Sequence, residues 1–242
     1  MKSIRVILIL SLTSIIISFI LASAFNNRFQ SPQTVKVTGM AKRDFVADII
    51  VWDAFFTARD MILEEAYKEL DKDRDLITDY FKSKSIHIDD VVFTSISIKK
   101  DYEYKYDRDG IKTQEFSGYI LSQGMKVESF SVEQIEDISR DITSLIVNGV
   151  EIQSAKPYYF YSKLADLKLD MIAEASEDAK KRVESIINST ECEIGELISA
   201  NMGVFQIVAK HSTEGYSWGG THNKTSKQKT ASITMKLNYG IN

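Results

Sequence analysis

The chain's three histidines, His87, His211 and His222, are the first residues to test for chemistry. His211 and His222 share one loop with Glu214, a set that a metal ion could gather. Their spacing is not that of a metal-ligand motif, and solvated loop histidines are expected instead. Gly215-Tyr216-Ser217-Trp218-Gly219 has the outline of a nucleophile elbow. An elbow needs a strand before it and a helix after it, so that the serine hydroxyl stands clear on a strained turn. Here the following residues, Gly220 to Gln228, are polar and lead toward a strand, so Ser217 is not expected to act as a nucleophile. Trp218-Gly219-Gly220 lacks the Lys-Ser/Thr partner of a phosphate loop. Asp89-Asp90 and the charged run Asp71 to Asp75 read as solvated helix or turn surface rather than paired acid and base. The expectation is a protein with no catalytic residue set, no cofactor and no metal, and not an enzyme.

Aromatic residues are the more suggestive feature. Tyr102, Tyr104 and Tyr106 alternate, so on a strand they share one face. Tyr158 and Phe160 lie in a second aromatic string, Pro157 to Tyr161, and are expected near that face. Trp52 sits in a run that is apolar on both faces, Phe45 to Thr57. Tyrosine and tryptophan offer large contact area at low entropy cost, which favours interfaces. Tyr102, Tyr104, Tyr106, Tyr158, Phe160 and Trp52 are therefore the candidate interface. Cross-strand packing within one hairpin is the alternative use of the three tyrosines.

The elements that must carry these residues follow from periodicity. Thr34 to Thr38 predicts a strand, turned by Gly39 into a longer second strand over Phe45 to Thr57. Apolar groups on both faces of the latter place it in the middle of a covered sheet or at an oligomer interface. Asp60 to Ser83 predicts a helix with Ile62, Ala66, Leu70, Ile77 and Phe81 inward, and with Asp73 among the charges on its wet side. Val91 to Tyr106 and Ile111 to Val127 predict a hairpin turning at Asp107 to Gly110. Ser131 and Gln134 suggest a capping box opening a second helix, lined by Ile135, Ile138, Ile142 and Leu145 and ended at Asn148-Gly149. A strand over Val150 to Tyr161 leads to a third helix, Leu167 to Ser189, with Ile172, Ala175, Ala179, Val183 and Ile186 inward. Gly195 to Ala209 is a sixth strand. In the last strand Ala231, Ile233, Met235, Leu237 and Tyr239 are expected buried, and Thr230, Ser232, Thr234, Lys236 and Asn238 wet. The order ββαββαβαββ, dominated by hairpins, predicts an α+β fold of mainly antiparallel sheet with three covering helices. Two lobes and one continuous sheet fit this pattern equally well.

Ahead of this domain lies Val6 to Phe25, an apolar run with no charge, preceded by Lys2 and Arg5. About 20 apolar residues span a bilayer core of roughly 30 Å. Residues 1–30 are thus expected to be an anchor with a short tether, and residues 31–242 the exported domain. Lys2 and Arg5 keep the start cytoplasmic, so the domain faces out from the cytoplasmic membrane on a single pass. Ala22-Ser23-Ala24 offers the alternative of signal cleavage and release to the periplasm. Without Lys2 and Arg5 the chain holds 28 basic against 34 acidic side chains, with no basic stripe, which argues against nucleic acid as partner. Its one cysteine, Cys192, allows no internal disulfide, so the core must hold the fold alone.

Four strings stand out, Thr34 to Asp48, Phe116 to Val127, Asp170 to Glu184 and Ala200 to Ile207. Together they resemble the SIMPL domain family of bacterial exported proteins. In the third, Arg182-Val183 replaces the last small residue of an alanine-rich helix pattern. The string around Gly203 to Ile207 is similar to the membrane-anchored branch. These are packing motifs spread over nearly the whole domain. The resemblance implies an exported α+β domain, in some members built into ring-like or channel-like oligomers and linked to envelope or oxidative stress. It carries no catalytic residues to transfer. The expected function is a membrane-tethered, self-associating interaction or scaffold protein. A binding module for a small apolar ligand, lipid or peptide is the alternative, and an enzyme of unrecognised type the third.

Overall fold

A computed structural model describes residues 2–28, 33–106, 112–190, 192–215 and 217–241. The elements are α1 (Lys2–Arg28), β1 (Thr34–Val46), β2 (Ile49–Asp60), α2 (Leu63–Ser83), β3 (Val91–Phe93), β4 (Ser97–Tyr106), β5 (Lys112–Ser129), α3 (Val132–Asp141), β6 (Glu151–Ser154), β7 (Tyr158–Phe160), α4 (Leu164–Asn188), β8 (Ile194–Met202), β9 (Gln206–Ala209) and β10 (Gln228–Ile241). This is an α+β fold with antiparallel sheets, and after α1 it has three helices among the described residues. Three expected long strands are each divided, into β3 and β4, β6 and β7, and β8 and β9. The expected turn at Asp107 to Gly110 lies outside the described residues.

Among the described residues no helix is long and apolar enough to cross a membrane. The expected anchor, residues 6–25, runs within α1, but the side chains of residues 6–10 and 24 lie outside the described set.

The chain forms two compact units. One comprises Met1–Ala41, Ile172–Gly203 and Ile233–Asn242, the other Lys42–Met171 and Val204–Ser232. In the first, strands follow the order β1-β10-β8, with Met235 opposite Met202 and Leu237 opposite Ala200. Gly39 does not turn the chain. It lies inside β1, where α4 passes so close that a Cβ would stand 2.1 Å from the Ala175 carbonyl oxygen and 2.7 Å from the Ala179 Cβ. Only a residue without a side chain permits this approach. The Met40 amide donates to the Asp178 carboxylate at 2.8 Å beside it. Along α4, Ala175, Ala179 and Val183 are buried, and the stripe ends at Ile187; Ile186 is exposed. Ile187 continues the four-residue step of Ala175, Ala179 and Val183, and Ile186 does not.

In the second unit a sheet of order β3-β5-β2-β6 is extended by β4 on β5 and by β7 on β2. β2 lies mid-sheet, but only one of its apolar faces is covered, since Phe55 on the other is exposed. Ile50, Trp52, Ala54, Phe56 and Ala58 form one face and are buried with Ala66, Leu70, Ile77 and Phe81 of α2 and Ile135 and Ile138 of α3 in one core. Ile62 is exposed, ahead of the first helical residue. The α2 stripe holds a residue the expectation put in water: Asp73 is buried, on the same face as Leu70 and Ile77. Burial holds its carboxyl at about 6, with Glu69 pushing the same way and Lys72 opposing. Ser131 makes no side-chain cap on α3, and Gln134 donates instead to the Lys84 carbonyl at 2.9 Å, so the capping box does not form. The stripe Ile135, Ile138, Ile142 and Leu145 is buried as expected. Its second half is a 3-10 turn, Ile142–Asn148, closed by Gly149 at φ 93°.

Candidate interaction surfaces

The last five residues of β4 pair with the first five of β5, and every one of these ten side chains is exposed. A register shift between Asp101 and Tyr102 leaves Ser117 as the extra residue, and such a bulge bends the ribbon where it leaves the sheet. Tyr102, Tyr104, Tyr106 and Phe116, the pairing partner of Tyr102, are all solvent-facing. Tyr102 meets Phe116 edge-on at 5.8 Å between centroids, and the Lys112 ammonium lies 3.7 Å from the Tyr104 ring centre. Glu103 stands directly opposite Glu115, and Lys105 pairs with Glu115. Cross-strand packing therefore uses part of the aromatic surface, and the outer tyrosines remain open to water.

Tyr158 and Phe160 do not join this face. They pair with Val51 and Ile49 of β2, and Val51 pairs with Glu128 of β5. Tyr102 pairs with Phe116 of β5, twelve residues away along that strand. At ~3.3 Å per residue the two aromatic groups are roughly 40 Å apart. Tyr158 and Phe160 line instead a shallow groove of about 450 Å³ on the open face of the sheet, with Ile49, Val51, Asp53, Lys126 and Glu128. Trp52 is fully buried. Its indole N–H donates to the Ser154 hydroxyl at 3.0 Å and its ring lies 6.4 Å from Phe81. It belongs to the core, because parity along β2 turns it toward α2, and it offers nothing to a partner.

The loop between β9 and β10 is built by polar side chains, of which Gln206 and Lys229 are buried. Gln206 donates to the Ser217 carbonyl at 2.7 Å and accepts from the Thr221 amide at 2.7 Å. Glu214 accepts from the Asn223 side chain at 2.7 Å and from the Ala209 amide at 3.1 Å. Lys229, on β10, is buried and donates to the Asn223 carbonyl at 2.5 Å. Burial lowers the Lys229 ammonium to about 8, with Glu214 opposing. Glu214 is thus a loop staple, and among the described residues no group of three ligating side chains gathers with His211 and His222. The Ser217 hydroxyl accepts from the Gly219 amide at 3.2 Å, which closes a turn; β10, not a helix, follows the loop. Lys229 escaped notice in the sequence, although it shares the parity of Ala231 and Ile233. The opposite parity is not wet at this end: Thr230 and Ser232 are buried, and Thr230 donates to Asp44 at 2.7 Å. That bond, with Lys210 beside it, holds the Asp44 carboxyl below the usual range. Asp44, Lys210, Lys42, Arg43, His211 and Glu214 border an open cleft of about 550 Å³.

These features define an α+β protein whose exposed chemistry is aromatic and charged surface. The model of the SIMPL family, described as a protein of unknown function (DUF541), matches residues 35–236, and the chain belongs to that family. A search of curated proteins finds no match.

Proposed function

We propose that this SIMPL protein is a membrane-tethered, envelope-facing scaffold that associates with further copies of itself. The observation that carries the reading is the β4–β5 ribbon. A two-stranded ribbon standing clear of a core is marginal alone, and this one keeps Tyr104 and Tyr106 largely in water. Covering them against a second chain removes aromatic surface from solvent and adds the anchors that dominate interfaces. The uncharged run Val6 to Phe25 supports a tether that holds copies together in one plane, with the domain outside the cytoplasmic membrane. The grooves described are open and bordered by charges, unlike the enclosed aromatic pocket that a small apolar ligand needs. A role in envelope or oxidative stress belongs to this reading through the family resemblance alone.

Light scattering on the purified protein, in detergent and as residues 31–242, tests the association. Wild type is expected to gain mass with concentration, and Tyr104→Lys with Tyr106→Lys to shift toward monomer with unchanged circular dichroism. A wild type that stays monomeric at high concentration overturns the reading.

A further inference from the structure

Four basic groups converge beside the tip of the β9–β10 loop. Lys168 of α4 holds its ammonium 5.4 Å from the Phe205 ring centre. Gly220 of the loop lies against the same stretch, since a Cβ there would stand 3.0 Å from the Phe205 carbonyl oxygen and 3.0 Å from Val204. His222 bridges to Ile207, and Lys168, Lys224 and Lys229 all act on its ring. Among the described residues these three lysines form no ion pair, whereas Lys210 and Lys227 of the same region are matched by Asp44 and by Glu133 and Glu136. Glu214 acts on the buried Lys229, while the exposed Lys168 and Lys224 are left without an ion-pair partner among the described residues, in a chain whose net charge is −4. Burial, with repulsion from Lys229, Lys224 and Lys168, holds the His222 imidazole below its usual range.

Apolar side chains border these charges. Trp218 is 100 % exposed, and Val204 and Leu169 are exposed as well. A fully hydrated indole on a loop that Gln206, Glu214 and Lys229 staple in place is held ready for contact at little further cost in order. A small inorganic anion would use the ammonium groups and leave the indole idle. An indole at headgroup depth, with lysines reaching anionic headgroups around it, is the chemistry of a bilayer surface. We propose that the Trp218 loop, with Lys168, His222 and Lys224, is a second membrane contact that docks on anionic phospholipid headgroups. It deepens the tether reading, which supplies the bilayer to which the loop is confined.

The chain has two tryptophans, and Trp52 is fully buried, so changes in accessible tryptophan emission report Trp218. The full-length protein is mixed with vesicles of phosphatidylcholine alone or with about one quarter phosphatidylglycerol. With the anionic lipid, Trp218 emission shifts to the blue, acrylamide quenching falls and brominated-lipid quenching appears. High salt reverses the change. Lys168→Glu with Lys224→Glu, both exposed, abolishes the response with circular dichroism unchanged, and replacing either lysine by Gln weakens it about fivefold. Three results overturn the proposal: Trp218 still fully quenched by acrylamide on the anionic vesicles, equal shielding without anionic lipid, or a double variant that responds like wild type. Flotation with phosphatidylcholine vesicles tests the tether separately. A chain that fails to float removes the tether, while the response of Trp218 to added anionic vesicles still decides the loop.

Discussion

Replacing Asp73 by asparagine should flatten the pH dependence of stability in the unit that contains α2. Asp73 is 5 % exposed and follows Leu70 on the stripe that packs on β2 and β5. Burial raises its carboxyl from 3.8 to about 6 in the folded state. The native protein therefore binds a proton between these values that the unfolded chain does not, and stability rises as pH falls through about 6 toward 4. Above pH 7 the folded state carries the full penalty of a buried carboxylate, at most about 3 kcal/mol at ~1.36 kcal/mol per pH unit. Between pH 7.5 and pH 5 about 1.4 kcal/mol of this is relieved if the group is dry. Water reaching it past the exposed flanks of α2 brings the expected gain to about 1 kcal/mol. The assay is urea unfolding followed by the fluorescence of Trp52, whose ring lies beside Phe81 of α2 and reports this unit. Wild type minus Asp73→Asn, compared at the two pH values, cancels every other titrating group. The midpoint difference should move in favour of wild type by about 1 kcal/mol at pH 5. If the two proteins keep the same difference at both values, Asp73 is solvated and the assignment of a core carboxylate is refuted.

The buried lysine has the opposite signature. With Lys229 held near 8 in the fold, stability should rise as pH climbs from 8 toward the ordinary lysine value, and Lys229→Met should lose that rise in urea titrations at pH 7.5 and 10. Gly39→Ala places a methyl group against the Ala175 carbonyl and should cost about 1–3 kcal/mol or more, read as a lower thermal midpoint. Ile135→Ala empties a fully buried site under β2 and should cost about 2–5 kcal/mol, leaving the mass measured by light scattering unchanged.

Much of the fold was legible because water marks one face of an element and leaves a period in the chain. The stripe Ile135, Ile138, Ile142 and Leu145, the alternation Ala231 to Leu237 and the Ile50 to Ala58 face of β2 each encode their burial directly. Charge misled the same reasoning at Asp73, where position on the stripe and not residue type told the truth, and Lys229 was passed over although it shares the parity of the buried face. Gly39 misled it differently, since a glycine reads as a turn unless the helix passing over it is known.

The sequence by itself determined the helices, the course of most strands and the antiparallel α+β class, which rest on local period, and the family, which rests on its packing strings. Only the tertiary structure decided that separate stretches of the chain share one compact unit, with the start of β1, the end of β10 and most of α4 together. It also decided that Trp52 faces the core, that the two aromatic groups lie far apart along β5, and that Lys168 joins His222 and Lys224. The physical reason is that register and long-range pairing are set by how faces meet across the fold, and a chain read in order carries no mark of which distant residue stands opposite.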